Sequence, residues 1–350
     1  MKILIDISHP AHVYQFKNAI QILKKKGHEI LITSRNKEIT LDLLDKFGMD
    51  YVEVGKYNYA PFRKGIEMLK IDYILYNLAR KFNPDILIGG VGNVYVAHVS
   101  ALIKKPSILF NDTEHGTLQN LLSFPFAKAI CVPSCYTKNI GKKEIRYNGY
   151  HELAYLHPNY YKPNPAVLHE IGLSEDDIFI ILRFVSWGAS HDIGHKGLKL
   201  EDKRNSVQAL EKYGRVLITS ELPLPQEFEK YRITVSPEKI HDLLFYATLL
   251  YGESATMASE CAVLGTHAIF CDYAGRGYTD EEEIKYDLVY NFKNEETMGK
   301  ESLNKAIQLL KNPNLKIDGK KKCEMLIKDK IDVTAFMVRF VESYSKVSTK

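Results

Sequence analysis

Residues 2–35 read KILIDISHPAHVYQFKNAIQILKKKGHEILITSR, and the order of residue types within them decides the fold. Residues 2–7 are a short apolar run of Ile and Leu, the composition of a strand buried on both faces. A polar turn, Ser8-His9-Pro10-Ala11, follows, and residues 13–26 then carry a helical period. Lys24-Lys25-Lys26-Gly27 closes that helix with positive charge and a C-cap glycine before a second apolar run over residues 29–33. Strand, helix and strand in this order make the crossover unit of a parallel sheet.

The same alternation continues outward. Strands are predicted over residues 51–54, 85–88, 107–110, 129–132 and 144–147, with helices over 38–47, 66–82 and 95–103 between them. Asn83-Pro84 ends one of those helices before its strand. Residues 155–165, YLHPNYYKPNP, hold three prolines and no regular period, which suits a hinge. A second alternation follows, with strands predicted over 178–183, 215–219, 233–235, 248–251, 267–271 and 288–290. Helices fit 203–212, 237–246, 255–264, 296–311 and 325–343. The expectation is an α/β protein of two Rossmann-like domains, residues 1–160 and 161–330, with a C-terminal helix over 331–350 that packs back on the first. No period of the solenoid kind repeats.

Composition narrows the class. A chain of 350 residues and 40.1 kDa exceeds what one core supports, in agreement with two domains. Forty-seven basic against 43 acidic residues give a net charge of +4, a mixed surface that excludes a nucleic-acid-binding stripe. The cluster Lys320-Lys321-Lys322 with Lys316 lies beside Glu324 and Asp329 and reads as a solvated helix face. Cys131, Cys135, Cys261, Cys271 and Cys323 are scattered in apolar runs, as expected of free thiols in a reducing compartment. Cys131 and Cys135 have no second ligand pair nearby, so no zinc site is expected. No signal peptide is expected, and no apolar run of about 20 residues is present. A cytoplasmic protein without a transmembrane segment is expected.

The strongest local signal is Tyr251-Gly252-Glu253-Ser254-Ala255-Thr256, continuing to Glu260. Small residues after a buried strand let the chain turn into a helix whose free N–H groups hold phosphate, with Ser254 as N-cap. Glu260 stands nearly two turns on, placed to accept hydrogen bonds from ribose hydroxyls, and the other reading is an ordinary capped helix with a solvated Glu. Residues 183–192, RFVSWGASHD, offer the planar fork of Arg183, the hydroxyls of Ser186 and Ser190 and the backbone of Gly188, all suited to phosphate oxygens. Trp187 either stacks on a ring or packs. His191 and His195 have the spacing of a helical metal pair, but Gly194 and Gly197 argue for a loop, so no metal site is assigned.

Four weaker clusters remain. Gly90, Gly92 and Asn93 in the GGVGN segment allow close approach of a ligand without making a dinucleotide fingerprint. Asp112, Glu114 and His115 form an acid/base or acceptor-binding cluster, or else a capping box. His9 and His12 are candidate bases, or capping and solvated side chains. Arg276, between two glycines, closes on a phosphate or sits in a surface turn.

GESATMASECAVLGTHAIF, residues 252–270, resembles the sugar-nucleotide-binding segment of GT-B-fold proteins, especially the non-hydrolysing UDP-N-acetylglucosamine 2-epimerases and the glycosyltransferase of lipid II synthesis. The resemblance implies that Ser254, Ala255 and Thr256 open the helix toward a diphosphate and that Glu260 takes the ribose, with Leu264-Gly265 closing the helix. It departs where the epimerase glycine pair is replaced by Ala255-Thr256, whose hydroxyl adds a hydrogen bond. His12-Val13 falls where the lipid II enzyme has His-Val, which makes His12 the favoured base and His9 the reserve, although Ser8-His9-Pro10-Ala11 stands in place of a glycine-rich turn. Through SHPAHVYQFK and ILRFVSWGASHD nearly the whole chain also resembles DUF354, a family grouped with GT-B enzymes.

These likenesses imply a GT-B architecture, two Rossmann-like α/β domains facing each other across a cleft, with the acceptor on the first and the nucleotide sugar on the second. They place the loop with Arg183, Ser186, Gly188, Ser190 and His191 at the diphosphate and Arg276 at the same cleft. Where the epimerases carry an acidic residue, this chain has Gly92-Asn93, and Trp187-Gly188-Ala189-Ser190-His191 answers their His-Arg-Arg-Glu loop. An amide cannot shuttle a proton, which favours inverting glycosyl transfer. The expected substrates are a nucleoside-diphosphate sugar, UDP-sugar favoured, and a saccharide or lipid-linked acceptor, with no cofactor and no metal. A 2-epimerase and a catalytically silent nucleotide-sugar-binding protein are the alternatives, and the missing fingerprint argues against a dehydrogenase.

Overall fold

The computed structural model describes residues 1–56, 64–185, 197–220 and 223–347. The chain divides into two units, one of Met1–Tyr160 with Lys330–Lys350 and one of Tyr161–Asp329. The division falls inside the proline-rich stretch 155–165. No described helix is long and apolar enough to cross a membrane.

The first unit alternates β1 (Lys2–Ile7), α1 (Pro10–Lys25), β2 (Glu29–Asn36), α2 (Thr40–Lys46), β3 (Val52–Lys56), α3 (Lys64–Phe82), β4 (Ile86–Gly89), α4 (Val94–Leu102), β5 (Ser107–Phe110), α5 (Thr117–Ser123), β6 (Ala129–Pro133), β7 (Glu144–Tyr147) and α6 (Leu153–Leu156). The seven strands are all parallel, in the order β3-β2-β1-β4-β5-β6-β7. The order reverses between β1 and β4, and open parallel sheets gather ligands beyond the strand ends at such a switch point. Burial on both faces explains why β4, β5 and β6 read as unbroken apolar runs.

In the second unit α7 (Ala166–Glu170) leads into β8 (Phe179–Phe184), α8 (Leu200–Leu210), β9 (Arg215–Ser220), α9 (Ile240–Tyr246), β10 (Leu249–Gly252), α10 (Ala255–Leu264), β11 (His267–Cys271), α11 (Gly277–Tyr286), β12 (Val289–Phe292), α12 (Met298–Leu310) and α13 (Leu315–Asp329). Its parallel sheet runs β12-β11-β10-β8-β9, with the switch point between β8 and β10. Side chains such as Ile180, Leu182, Leu249, Tyr251 and Ile269 form its core.

Two expectations are corrected. Residues 233–235 are not a strand: the chain leaves a 3-10 helix at Gln226–Tyr231 and makes only a single bridge, Ile218 to Arg232. The helix expected over 325–343 is two helices, α13 and α14 (Val333–Val347). Ile331 N–H donates to the Asn148 carbonyl at 2.9 Å, and Asp332 Oδ1 accepts from Ala335 N–H at 2.8 Å, so the second helix starts afresh. α14 packs against α1 and α6 of the first unit, where Thr334 Oγ1 donates to the Ala154 carbonyl at 2.6 Å.

Candidate functional site

In the second unit the candidate residues stand at the ends of β8 and β10. Gly252 lies opposite Arg183 in the sheet, and a Cβ on it would come within 2.0 Å of the Arg183 carbonyl oxygen, so only glycine permits this pairing. Ser254 is the N-cap of α10, its Oγ accepting from Met257 N–H at 3.3 Å. Helix geometry leaves the N–H groups of Ala255 and Thr256 without an intrahelical partner, and both residues are half-buried at the helix mouth. Gly265 ends α10 in the left-handed conformation at φ 80°.

Glu260 is 5% exposed, and its Oε1 lies 2.8 Å from His241 Nε2 of α9. The alternative of a solvated Glu is thereby corrected: the carboxylate is enclosed and held by an imidazole. Arg183 is half-buried within β8, with Nη1 donating to Thr219 Oγ1 at 3.3 Å. Arg276 is the N-cap residue of α11, and its Nη1 donates to the Gly275 carbonyl at 2.6 Å. Ser186, Gly188, Ser190 and His191, with Trp187 and His195, lie outside the described residues.

Glu253 is one of the residues that sequence reasoning missed. Its Oε2 accepts from Val185 N–H and its Oε1 from Leu198 N–H, each at 2.8 Å, while Lys203 Nζ lies 3.0 Å from Oε1. A Cβ on Gly197 would come within 2.4 Å of Oε1, so that glycine makes room for the carboxylate. Lys203 is 2% exposed and lies over the Phe184 ring at 5.2 Å. One carboxylate thus fastens the chain on both sides of residues 186–196 to the strand that leads into α10. The available signal was an acid standing directly before an N-cap.

In the first unit the candidates follow β1, β4 and β5. His9 is the N-cap of α1, its Nδ1 accepting from Ala11 N–H at 3.2 Å. Burial, reinforced by Lys37 and opposed by Glu38, lowers its pKa to about 4. His12 is buried, and its Nδ1 accepts from Ser8 N–H at 3.4 Å and lies 3.2 Å from Ser8 Oγ. A ring nitrogen that accepts carries no proton, so the neutral ring bears its hydrogen on Nε2. Burial first, then His9, Arg35, His151 and Lys37, holds its pKa well below 6.5. The expectation that His12 is the base meets a ring whose Nε2, seated against Gly90, is a donor in this tautomer.

In the glycine segment, a Cβ on Gly90 would lie 2.5 Å from His12 Nε2, so the missing side chain makes room for the imidazole. Gly92 adopts φ 66° in the turn before α4. Asn93 is 0% exposed; its Nδ2 donates to Asp6 Oδ2 at 2.8 Å and to the Asp6 carbonyl at 3.0 Å, and its Oδ1 caps Val96 N–H at 3.2 Å. Asp6 also accepts from Thr33 Oγ1 at 2.8 Å and Arg35 Nη2 at 2.9 Å. Asn93 is therefore a structural cap.

Glu114 is likewise a clamp. Its Oε1 accepts from Thr137 N–H at 3.2 Å while Lys138 Nζ donates to its carbonyl at 2.7 Å. No capping box forms, because the N-cap of α5 is Gly116, which has no side chain to accept a hydrogen bond. His115 is exposed. Asp112 behaves differently: its Oδ1 accepts from Thr113 Oγ1 at 3.0 Å and its Oδ2 lies 3.0 Å from His151 Nδ1. His151, just beyond β7, was not singled out from the sequence. Its ring stacks on Tyr147 with centroids 6.4 Å apart, and its Nε2 is buried without a hydrogen-bond partner. Leaving such a group unsatisfied costs about 1–3 kcal/mol. Burial also raises the Tyr147 hydroxyl pKa well above its usual value.

Two parallel α/β units, each with candidate residues at its switch point, define a GT-B-fold protein. The UDP-GlcNAc 2-epimerase from Neisseria meningitidis, solved bound to UDP-GlcNAc, superposes with a TM-score of 0.71 over 98% of this chain and 100% of its own, at 13% identity. The chain belongs to the DUF354 family, described as a "Protein of unknown function (DUF354)", whose profile matches residues 1–346. The uncharacterized protein MJ0665 of Methanocaldococcus jannaschii is 24% identical over 287 residues, which are 77% of this chain and 82% of that one. The UDP-N-acetylglucosamine--N-acetylmuramyl-(pentapeptide) pyrophosphoryl-undecaprenol N-acetylglucosamine transferase of Halothermothrix orenii is 27% identical over 132 residues, 35% of each chain.

Proposed function

We propose that the protein is a cytoplasmic enzyme that binds a nucleoside-diphosphate sugar, a UDP-sugar above others, and transfers the sugar with inversion to a saccharide or lipid-linked acceptor. The observation that carries this reading is the mouth of α10. Two N–H groups at the positive end of the helix dipole remain for a diphosphate, and Glu260 lies within the same helix. In this reading the ribose shares the Glu260 carboxylate with His241, and Arg183 and Arg276 meet the charge of the departing diphosphate, so no divalent metal is required. By the resemblance, Ser186, Gly188, Ser190 and His191 are further donors to the diphosphate. His12 serves as a hydrogen-bond donor through Nε2.

Transfer is favoured over epimerisation by the surroundings of Asn93. A carboxylate there would stand against the buried Asp6 carboxylate, now 2.8 Å from the Asn93 amide, so the acid of the epimerase resemblance has no place in this chain. The fold likeness to an epimerase keeps that reaction as the second reading, and proton NMR of UDP-GlcNAc incubated with the protein separates them: a 2-epimer product would replace transfer with epimerisation.

Calorimetric titration tests the reading. UDP is expected to bind and NAD not to, and Glu260→Gln is expected to weaken UDP by about tenfold through loss of one charge-assisted ribose contact. Binding of NAD with no response to UDP, GDP or TDP would overturn it.

A further inference from the structure

We propose that Asp112 and His151 are the proton-accepting pair of the first unit, with His151 Nε2 taking the proton of the acceptor hydroxyl. The proposal rests on the transfer reading above and names the base that it lacks. A neutral imidazole has one donor and one acceptor nitrogen, and the partner of one fixes the role of the other. Asp112 Oδ2, 3.0 Å from Nδ1, keeps the proton on Nδ1 and leaves the lone pair on Nε2. At His12 the arrangement is the reverse, because Ser8 N–H occupies Nδ1.

Three observations converge on His151. Its Nε2 is a buried nitrogen with no partner, an exception that calls for a ligand, a water or a chemical role. The carboxylate that orients it lies two residues past β5 and the ring four residues past β7, so both stand beyond the carboxyl ends of the strands, the side of an open parallel sheet on which ligands bind. Its side chain retains 8% exposure, so the ring lies directly beneath the surface there. The stack on Tyr147 holds the ring plane.

The step balances. The acceptor O–H bond breaks and its proton passes to Nε2, while the oxygen lone pair forms the new bond to the anomeric carbon. The bond from that carbon to the diphosphate oxygen breaks, and its electron pair leaves with the nucleoside diphosphate. The resulting imidazolium stays paired with Asp112, which does not itself take the proton. Asp112 is thus a positioning residue and His151 the catalytic one.

Long-range proton–nitrogen NMR on protein labelled with ¹⁵N-histidine reads the tautomers directly. The expected result is hydrogen on Nδ1 of His151 and on Nε2 of His12, with the isosteric Asp112→Asn moving the His151 proton to Nε2. Turnover of UDP-N-acetylglucosamine to UDP supplies the second readout. Asp112→Asn and His151→Gln are expected to lower kcat by about 10²–10⁴ with the donor KM unchanged, the size of a general-base contribution. Hydrogen on Nε2 of wild-type His151, or full turnover by His151→Gln, would sink the pair. A protein that fails to bind UDP would sink the transfer reading, and the tautomers would still decide the pair.

Discussion

The first helix of the first unit and α10 of the second both open at a switch point after a buried strand, yet they use their free ends in opposite ways. At α1 nothing is left over: Pro10 has no N–H, Ala11 N–H is taken by His9 Nδ1, and His12 N–H donates to the His9 carbonyl at 3.0 Å. At α10 the cap serves only Met257, and two N–H groups face the mouth. The sealed opening presents side chains and the unsealed one presents backbone. The proposed function accordingly puts the anion on the second unit and the proton transfer on the first.

The largest expected effect comes from loosening the strand that feeds the open helix. Glu253→Ala removes the partner of the buried Lys203 ammonium and is expected to lower stability by about 3–5 kcal/mol in urea unfolding. The double variant with Lys203→Met should recover most of it; an Ala variant as stable as the parent would show that the carboxylate does not organise the opening.

A smaller effect comes from giving α10 the seal of α1. Ser254 has φ −101° and ψ 110°, an extended conformation that tolerates a following proline, and proline suits the first helical position. Ala255→Pro should leave the melting temperature in place while weakening UDP about tenfold in calorimetry, the worth of one charge-assisted hydrogen bond. Unchanged affinity would break the comparison.

The smallest effect concerns the pH dependence of the sealed helix. His9 is pushed down to about 4, so its capping form is favoured by folding. That contribution is fully present above pH about 6.5 and is lost as pH falls through about 4, because the unfolded chain binds the proton more readily. A side-chain N-cap contributes about 1 kcal/mol, and His9→Ser, which caps without titrating, should flatten this part of the acid branch in thermal melts between pH 7 and 4.

The sequence made the parallel α/β architecture legible because both-face burial writes strands as short apolar runs, and α10 could be bounded at both ends by Ser254 and Gly265. The break between α13 and α14 was missed although Asp332 caps Ala335 N–H locally; what fixes the turn before it, the bond from Ile331 N–H to the Asn148 carbonyl, comes from far away in the chain. Site residues divided on similar lines. Ser254 is a local device, readable from its neighbours. Glu253, His241 and His151 act through partners 50 or more, 19 and 39 positions away respectively, and no local pattern marks such pairs. Gly90 and Asn93 misled for the same reason: their small size and amide serve His12 of α1 and Asp6 of the neighbouring strand β1, about 80 positions earlier in the chain.

One feature of the chain path bears on its synthesis. The helix Val333–Val347 completes the first unit, although it follows the whole of the second. As the polypeptide leaves the ribosome, the middle stretch is the earlier one to have all of its own parts, while the leading stretch waits with its α1–α6 surface uncovered until Val333–Val347 has been made.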